Sequence, residues 1–431
     1  MPHTQKGCFD SIGLWKGEPM TISVIMANYR GAAFLDAAIG SVLGQTEADL
    51  ELLVADDASG DGSVDIIKAW QARDARVILL EARTNGGAAA ARNRCLDIAR
   101  GDWIGVVDSD DILHPDRFRR LLIAAGRLSA QMIADDMVFF STAPDGAGRT
   151  LLQSLNLTAP HWFTANDLVV SDIPGSALPP FGYLKPLIAR DLIDDLRYDE
   201  SLPVAEDFDF YLKVLARAGK AVALPDPMYL YRRHSASLSH RLSVDAVQRM
   251  IDAQSVMEKD CAPELVAAFQ SRAKALRHKL AFEQLVADVK ARNPGRALSE
   301  VLRRPALGLE LARSLKERLA RRSATSAPRT PLALTLGHGP AGGATISFPQ
   351  VPEPDGVWTT PVAPFAAKLT SLAAQHELAI TAEGPEAHWA LWLVPDWVSV
   401  SLTDGRDDLP QPPRERSDQA ARLEPNAMAV A

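Results

Sequence analysis

At 431 residues the chain exceeds one typical domain, so two or three folded units are expected. A hydrophobic content of 47% is ample for a core, and a formal net charge of −8 argues against a general nucleic-acid binder. Three cysteines, Cys8, Cys95 and Cys261, are odd in number and far apart, which excludes a disulfide framework or a zinc site and points to a reducing compartment.

Residues 1–19 read as a poorly ordered leader, without the charged start and apolar run of a signal peptide. No apolar stretch reaches the roughly 18 residues of a membrane span. A cytoplasmic protein is expected, with peripheral contact at the inner face of the membrane left open. From Thr21 to Phe140 strand and helix alternate: strands at Thr21–Ala27, Leu50–Ala55, Arg76–Glu81, Trp103–Val107 and Met132–Phe140, with helices at Phe34–Leu43, Ser63–Ala72, Ala88–Ala99 and from Pro115 to Ser129. Such alternation predicts an α/β fold with a doubly wound, mostly parallel sheet. Residues 141–180 lose the pattern and read as an irregular, specificity-bearing loop. Regularity resumes at Tyr183–Ala189 and Arg190–Leu196, with a helix over Ala205–Ala218 and short strands at Ala221–Leu224 and Met228–Tyr231. Residues 20–242 form the expected main domain and 243–322 a charged helical extension. Within the extension Val301–Arg322 reads either as a basic amphipathic helix for an anionic membrane surface or as a solvated helix with a leucine stripe. Residues 323–431 are rich in Pro, Ala and Gly and carry no assigned role. Structure is expected there only around Trp389–Val400, and disorder in the last twenty or so residues.

Several polar stretches fall where strands end. After the apolar Trp103–Val107 comes Asp108-Ser109-Asp110-Asp111. Carboxylates two apart on an extended segment point the same way, so Asp108 and Asp110 could share a cation, although acidic loop ends are mostly just solvated. Ala27-Asn28-Tyr29-Arg30 ends the first strand, either as a polar loop or as a wall for a base and ribose. Asp56-Asp57-Ala58-Ser59 ends the second, where a βα turn with an N-cap would look the same. Asn85-Gly86-Gly87 opens a helix whose exposed N–H groups would favour an anion, and Arg92 in its second turn could reach a diphosphate. Glu206-Asp207 begins the 205–218 helix, a placement the helix dipole alone favours. Tyr231-Arg232-Arg233-His234 closes the series, as a basic surface loop or as a source of positive charge and a histidine metal ligand.

In this order and spacing, the series from Ser23–Tyr29 to Tyr231–His234 resembles the family 2 inverting glycosyltransferases of the GT-A fold, over residues 20–240. The segments Ala134-Asp135-Asp136, Gly182–Pro186 and Tyr231–Ser243 are similar to bacterial exopolysaccharide transferases of the succinoglycan type. Ala27 and Arg30 depart from the Pro and Asn that many members carry, which removes a rigid start to that loop.

The resemblance implies an enzyme that moves a sugar, glucose by first expectation, from a UDP-sugar to a hydroxyl of a lipid-linked oligosaccharide. It implies a nucleotide-sugar site of Ala27, Asn28, Tyr29, Asp56, Asp57, Asn85, Arg92, Asp108, Ser109, Glu206 and Arg232. Within it Asp57 would contact the uracil, and Asp108, Asp110 and His234 would hold Mn²⁺ or Mg²⁺ against the diphosphate. Asp207 would be the base that deprotonates the acceptor. The competing readings are a nucleotidyltransferase, for which Asn28–Ala33 lacks the Gly-rich basic loop, and an inactive sugar-nucleotide-binding module, against which the intact Asp108, Asp110 and Asp207 count.

Overall fold

The computed structural model describes residues 8–9, 15–16, 20–47, 49–141, 149–233, 243–259, 261–323, 330–336, 345–346, 376–382 and 399–402. Within the expected leader, β1 (Cys8–Phe9) pairs antiparallel with β2 (Trp15–Lys16). The alternating region then runs β3 (Ile22–Asn28), α1 (Ala32–Leu43), β4 (Leu50–Asp56), α2 (Ser63–Arg73), β5 (Val77–Glu81), α3 (Gly87–Leu96), β6 (Trp103–Val106), β7 (Ile112–Leu113), α4 (Arg117–Leu128) and β8 (Met132–Ser141). It continues with β9 (His161–Thr164), α5 (Ala165–Ser171), β10 (Leu187–Ala189), α6 (Arg190–Ile193), α7 (Glu206–Ala218) and β11 (Lys220–Arg233).

These strands form one sheet in the order β5-β4-β3-β6-β10-β8-β11-β7, with β9 beside β11. Strands β3, β4, β5, β6, β8 and β11 run one way, while β7, β9 and β10 run against them. The sheet is therefore mostly parallel, as expected. Side-chain alternation divides the core between its two faces. Ile25, Leu53, Ala55, Ile104 and Val106 pack with buried residues of α3, α5, α7 and α9 (Val266–Lys290). Val24, Met26, Leu52 and Val54 pack with those of α1, α2 and α4. Burial on both faces is why these strands read as unbroken apolar runs. Helix α4 shows the matching helical period, with Phe118, Leu121, Leu122 and Ala125 buried in one stripe.

The chain moves from β3 outward to β4 and β5, then returns to place β6 on the other side of β3. That reversal opens a crevice at the carboxyl ends of β3, β4 and β6, the place where open α/β sheets bind ligands.

Four expectations change. The supposedly irregular 141–180 segment holds β9 and α5, where Thr164 and Asp167 form a reciprocal capping box. Both elements are too short for their period to stand out in sequence. The two short strands around Pro225 and Pro227 are one strand, β11, whose register against β8 shifts on either side of Pro227. The extension consists of α8 (Val244–Met257), α9, α10 (Pro294–Arg303) and α11 (Pro305–Ser323). The expected basic helix over 301–322 is therefore two helices, because Pro305 cannot continue α10 and instead starts α11.

Finally, β12 (Thr330–Leu336), β13 (Thr345–Ile346), β14 (His376–Ala382) and β15 (Ser399–Leu402) form a parallel sheet in the order β13-β12-β14-β15. The alternating leucines of Thr330–Leu336 carry that strand signal, which averaging composition over the whole tail conceals. Trp389, Trp392, Trp397 and the expected disordered end lie outside the described residues.

Just past β7, His114 is buried; its Nδ1 accepts the Asp116 N–H and its carbonyl accepts Gln45 Nε2. Burial pushes the imidazole down from 6.5 to about 4. A depressed value means that the unfolded chain binds the proton first. The stabilisation is then complete above pH 6.5 and is lost as pH falls toward 4, a change of about 3 kcal/mol. Asp136, pushed up to about 6 chiefly by burial, acts in the opposite direction over the same range. Comparison with His114→Gln isolates the histidine. Urea unfolding of the wild type weakens between pH 7 and 4.5 by about that amount more than unfolding of the variant does. Equal pH slopes would rule the assignment out.

Candidate active site

At the end of β3, Ala27 is half-buried and Asn28 is buried, while Tyr29 is 47% exposed. Asn28 Nδ2 donates to Asp56 Oδ2 at 2.8 Å and to Ser59 Oγ at 3.2 Å. Ser59 in turn donates its N–H and hydroxyl to Asp56, at 3.0 and 2.6 Å. Asp56 thus knits the ends of β3 and β4 into one wall. Gly31 permits the approach of the third strand end: a Cβ there would lie 2.3 Å from Asn28 Oδ1 and 3.2 Å from Ser109 Oγ.

Asp57 is also buried. It accepts the N–H groups of Gly86 (3.0 Å) and Gly87 (2.7 Å) and pairs with Arg94 at 3.1 Å, while Asn85 Nδ2 donates to its carbonyl. The anion at the amino end of α3 is therefore this carboxylate, where the sequence suggested a ligand phosphate.

Arg92 is only 4% exposed, and it faces acids rather than open crevice. Its guanidinium contacts Asp108 (2.9 Å), Glu206 (2.7 Å) and Asp207 (3.2 Å) and lies over the Tyr198 ring. Lys185, 5% exposed, bridges Asp108 and Asp207 at 2.8 Å each. Two cations and three carboxylates thus form one compact cluster between the ends of β6 and α7. Burial opposes ionisation of Asp108, but Lys185 and Arg92 overcome it and hold the carboxyl down at about 2. Glu206 is shifted upward, by burial first and then by the Asp207 charge. The residue before this helix, Ala205, has a left-handed φ of 68°. For a residue with a Cβ that conformation costs about 1–2 kcal/mol, and it aims the first turn of α7 at the cluster.

On the other side of Asp108 a second network fixes the acidic loop. The Asp108 N–H donates to Tyr229 Oη at 3.2 Å, and that hydroxyl donates to Asp111 at 2.7 Å. Asp111 also accepts the Arg232 N–H at 2.7 Å, and Arg232 Nε donates to the Asp110 carbonyl at 2.8 Å. The Arg232 guanidinium lies over Phe34 and Phe140. Burial, followed by the charges of Asp110 and Asp108, pushes the Asp111 carboxyl well above the usual range.

The structure therefore brings Asn28, Asp56, Asp57, Asp108, Ser109 and Asp110 to three adjacent strand ends, sets Asn85 against the Asp57 carbonyl, and joins Arg92, Glu206 and Asp207 in one cluster with Asp108. His234 lies outside the described residues. Lys185, Arg94, Tyr229 and Arg117 carry no role in the sequence reading, and Ser59 and Asp135 fall inside its motifs without one. The Gly182–Pro186 resemblance was the one signal near Lys185.

Among the described residues no group of three or more His, Cys, Asp or Glu can hold a metal ion alone. Mn²⁺ and Mg²⁺ ordinarily take one or two carboxylates plus substrate phosphates, so such a cage is not needed. Asp108 has both oxygens on cationic side chains. Asp110, half-buried beside it, is a hard carboxylate of the kind such an ion takes.

Residues 23–181 match the family described as Glycosyl transferase family 2. Succinoglycan biosynthesis protein ExoO of Rhizobium meliloti (strain 1021) is 30% identical over 333 residues, covering 74% of this chain and 94% of that protein. ExoU of the same organism is 31% identical over 229 residues, covering 52% of this chain and 66% of that protein. S. aureus TarS 1–349, solved in complex with UDP-GlcNAc, aligns with a TM-score of 0.51 at 20% identity, over 65% of this chain and 80% of that one. The structural likeness carries the fold, which is GT-A as expected. Among the described residues no helix is long and apolar enough to cross a membrane. With the family pattern spanning the strand-end acids and a relative matched over nearly its whole length, the chain belongs to glycosyltransferase family 2.

Proposed function

We propose that the chain transfers a sugar from a UDP-sugar, glucose in the first instance, to a hydroxyl of a lipid-linked oligosaccharide in exopolysaccharide assembly, with inversion at the anomeric carbon. The observation that carries this reading is the placement of Asp207, at the start of α7, beside the strand-end acids and on the same buried cations as Asp108. Inversion needs one base on the face opposite the leaving group, and Asp207 supplies a positioned carboxylate. Asn28, Tyr29 and the 56–57 loop receive the nucleoside, and Asp110 holds the cation. Mn²⁺ or Mg²⁺, when bound, stabilises the charge that develops on the departing diphosphate. The similarity to ExoO supports the exopolysaccharide setting. For a lipid-linked acceptor and a membrane surface, the support is the exposed Leu298, Leu302 and Leu309 on α10 and α11, flanked by Arg303, Arg304 and Arg313.

A panel of UDP-sugars with native lipid extract as acceptor tests the whole reading. Sugar transfer to lipid is expected; pyrophosphate release, or binding without turnover, would overturn it. The metal assignment has its own check. Asp110→Ala should lose more Mn²⁺-dependent UDP affinity, measured by calorimetry, than the roughly 10–100-fold that removing a ligand's supporting partner costs. Unchanged affinity would mean that the cation is held elsewhere.

A further inference from the structure

Lys185 lies two residues before β10, the reversed strand between β6 and β8. Its main chain is fixed from below. The wholly buried Arg117 guanidinium donates to the Lys185 carbonyl while gripping Asp135 through Nε (2.9 Å) and Nη2 (2.7 Å). Asp135 also accepts the Met228 N–H of β11. The residues that follow are held as well: Leu187 and Ile188 pair with β6 on one side and β8 on the other. A lysine whose backbone is this constrained carries its ammonium to a defined point. At that point it meets Asp108, from the end of β6, and Asp207, from the start of α7, at 2.8 Å each.

An ammonium is a compact point charge with three donors, suited to joining two carboxylates that approach from different directions. Asp108 and Asp207 would repel one another without it. Arg92 touches both as well, but through one oxygen of each, Oδ1 in either case. Lys185 takes the opposite oxygens, Oδ2 of both. Each carboxylate is thereby fixed in rotation as well as in place.

We propose that Lys185 is a positioning residue for the transfer step: it orients the Asp207 carboxylate toward the acceptor and ties it to the strand end that receives the leaving group. The proposal rests on the reading of Asp207 as base. Positioning errors near 1 Å cost on the order of 10²-fold in rate, which sets the expected size of the effect.

The test compares Lys185→Met, Lys185→Arg, Asp207→Asn and the double variant Lys185→Met/Asp207→Asn in sugar transfer and in UDP binding. Lys185→Met should lose about 10²-fold in kcat, with the KM for the UDP-sugar and the UDP affinity within a few-fold of wild type. Lys185→Arg keeps the charge but not the point geometry, so its kcat falls between wild type and Lys185→Met. The double variant should be no slower than Asp207→Asn, since a bridge to a base already removed has nothing left to orient. A merely structural lysine would instead lower UDP affinity and slow the double variant further. If Asp207→Asn is inactive while Lys185→Met turns over like wild type, the base stands and the proposal for Lys185 falls. If Asp207→Asn turns over like wild type, the base reading falls, and the bridge with it. Should Lys185→Met fail to fold, Lys185→Arg decides: reduced kcat with unchanged UDP affinity supports the proposal, and native kcat overturns it.

Discussion

Asp207→Asn lowers turnover by about 10²–10⁴-fold, the range supplied by a positioned base, while UDP and Mn²⁺ binding stay near wild type. The exchange is nearly isosteric, so the first turn of α7 keeps its shape. It is also gentle on the cluster. Arg92 and Lys185 face three carboxylates in the native protein, and asparagine leaves two cations facing Asp108 and Glu206. Charge is then balanced and no buried ion is stranded, so a fall in activity cannot be put down to collapse of the site. The measurements are sugar transfer, by product formation, and nucleotide affinity, by calorimetry. Near-native turnover in the variant would remove Asp207 from the mechanism.

Arg92→Leu has the opposite character and should damage the fold itself. Three carboxylates share this guanidinium, two of them with side chains no more than 15% exposed. Breaking a buried ion pair by removing one partner costs about 3–5 kcal/mol, because the remaining charge stays buried without its counterion. Some of that loss is relieved by proton uptake, most readily at Glu206, which burial already shifts upward. A fall in urea-unfolding free energy of that order, together with loss of transfer, is expected. Arg92→Lys should recover only part of it, since one ammonium cannot reproduce the fork that reaches Asp108 through one nitrogen and Glu206 and Asp207 through another. A diphosphate ligand would behave differently: both variants would lose UDP affinity at unchanged stability.

The contrast between Asp108 and Arg92 shows what sequence conveys about this site. Strands β3, β4 and β6 are buried on both faces, so they appear as apolar runs, and the first polar residues after each run mark the crevice. Asn28, Asp57 and Asp108 are legible for that reason. Arg92 is legible as a residue but not as a contact. Its partners come from β6 and α7, and local spacing does not encode which side of α3 meets them. Lys185 is hidden more deeply, on a short connection without a period, with partners on two distant elements. Pro305 had a signal that a count of basic residues overrode, and α5 had one in its Thr164–Asp167 cap.

Asp57 at the start of α3 has a mechanical consequence. The helix is pinned to the end of β4 through Gly86 and Gly87, and five residues on, about 7.5 Å along its axis, Arg92 grips the acids. A helix of that length is stiff, so α3 acts as a strut between the end of β4 and the acids around Arg92. An axial shift of the 56–57 loop would therefore reach Arg92 through the backbone of α3. On the proposed reading of Asp207 as base, the nucleoside-side loop and the base stand at the two ends of one rod.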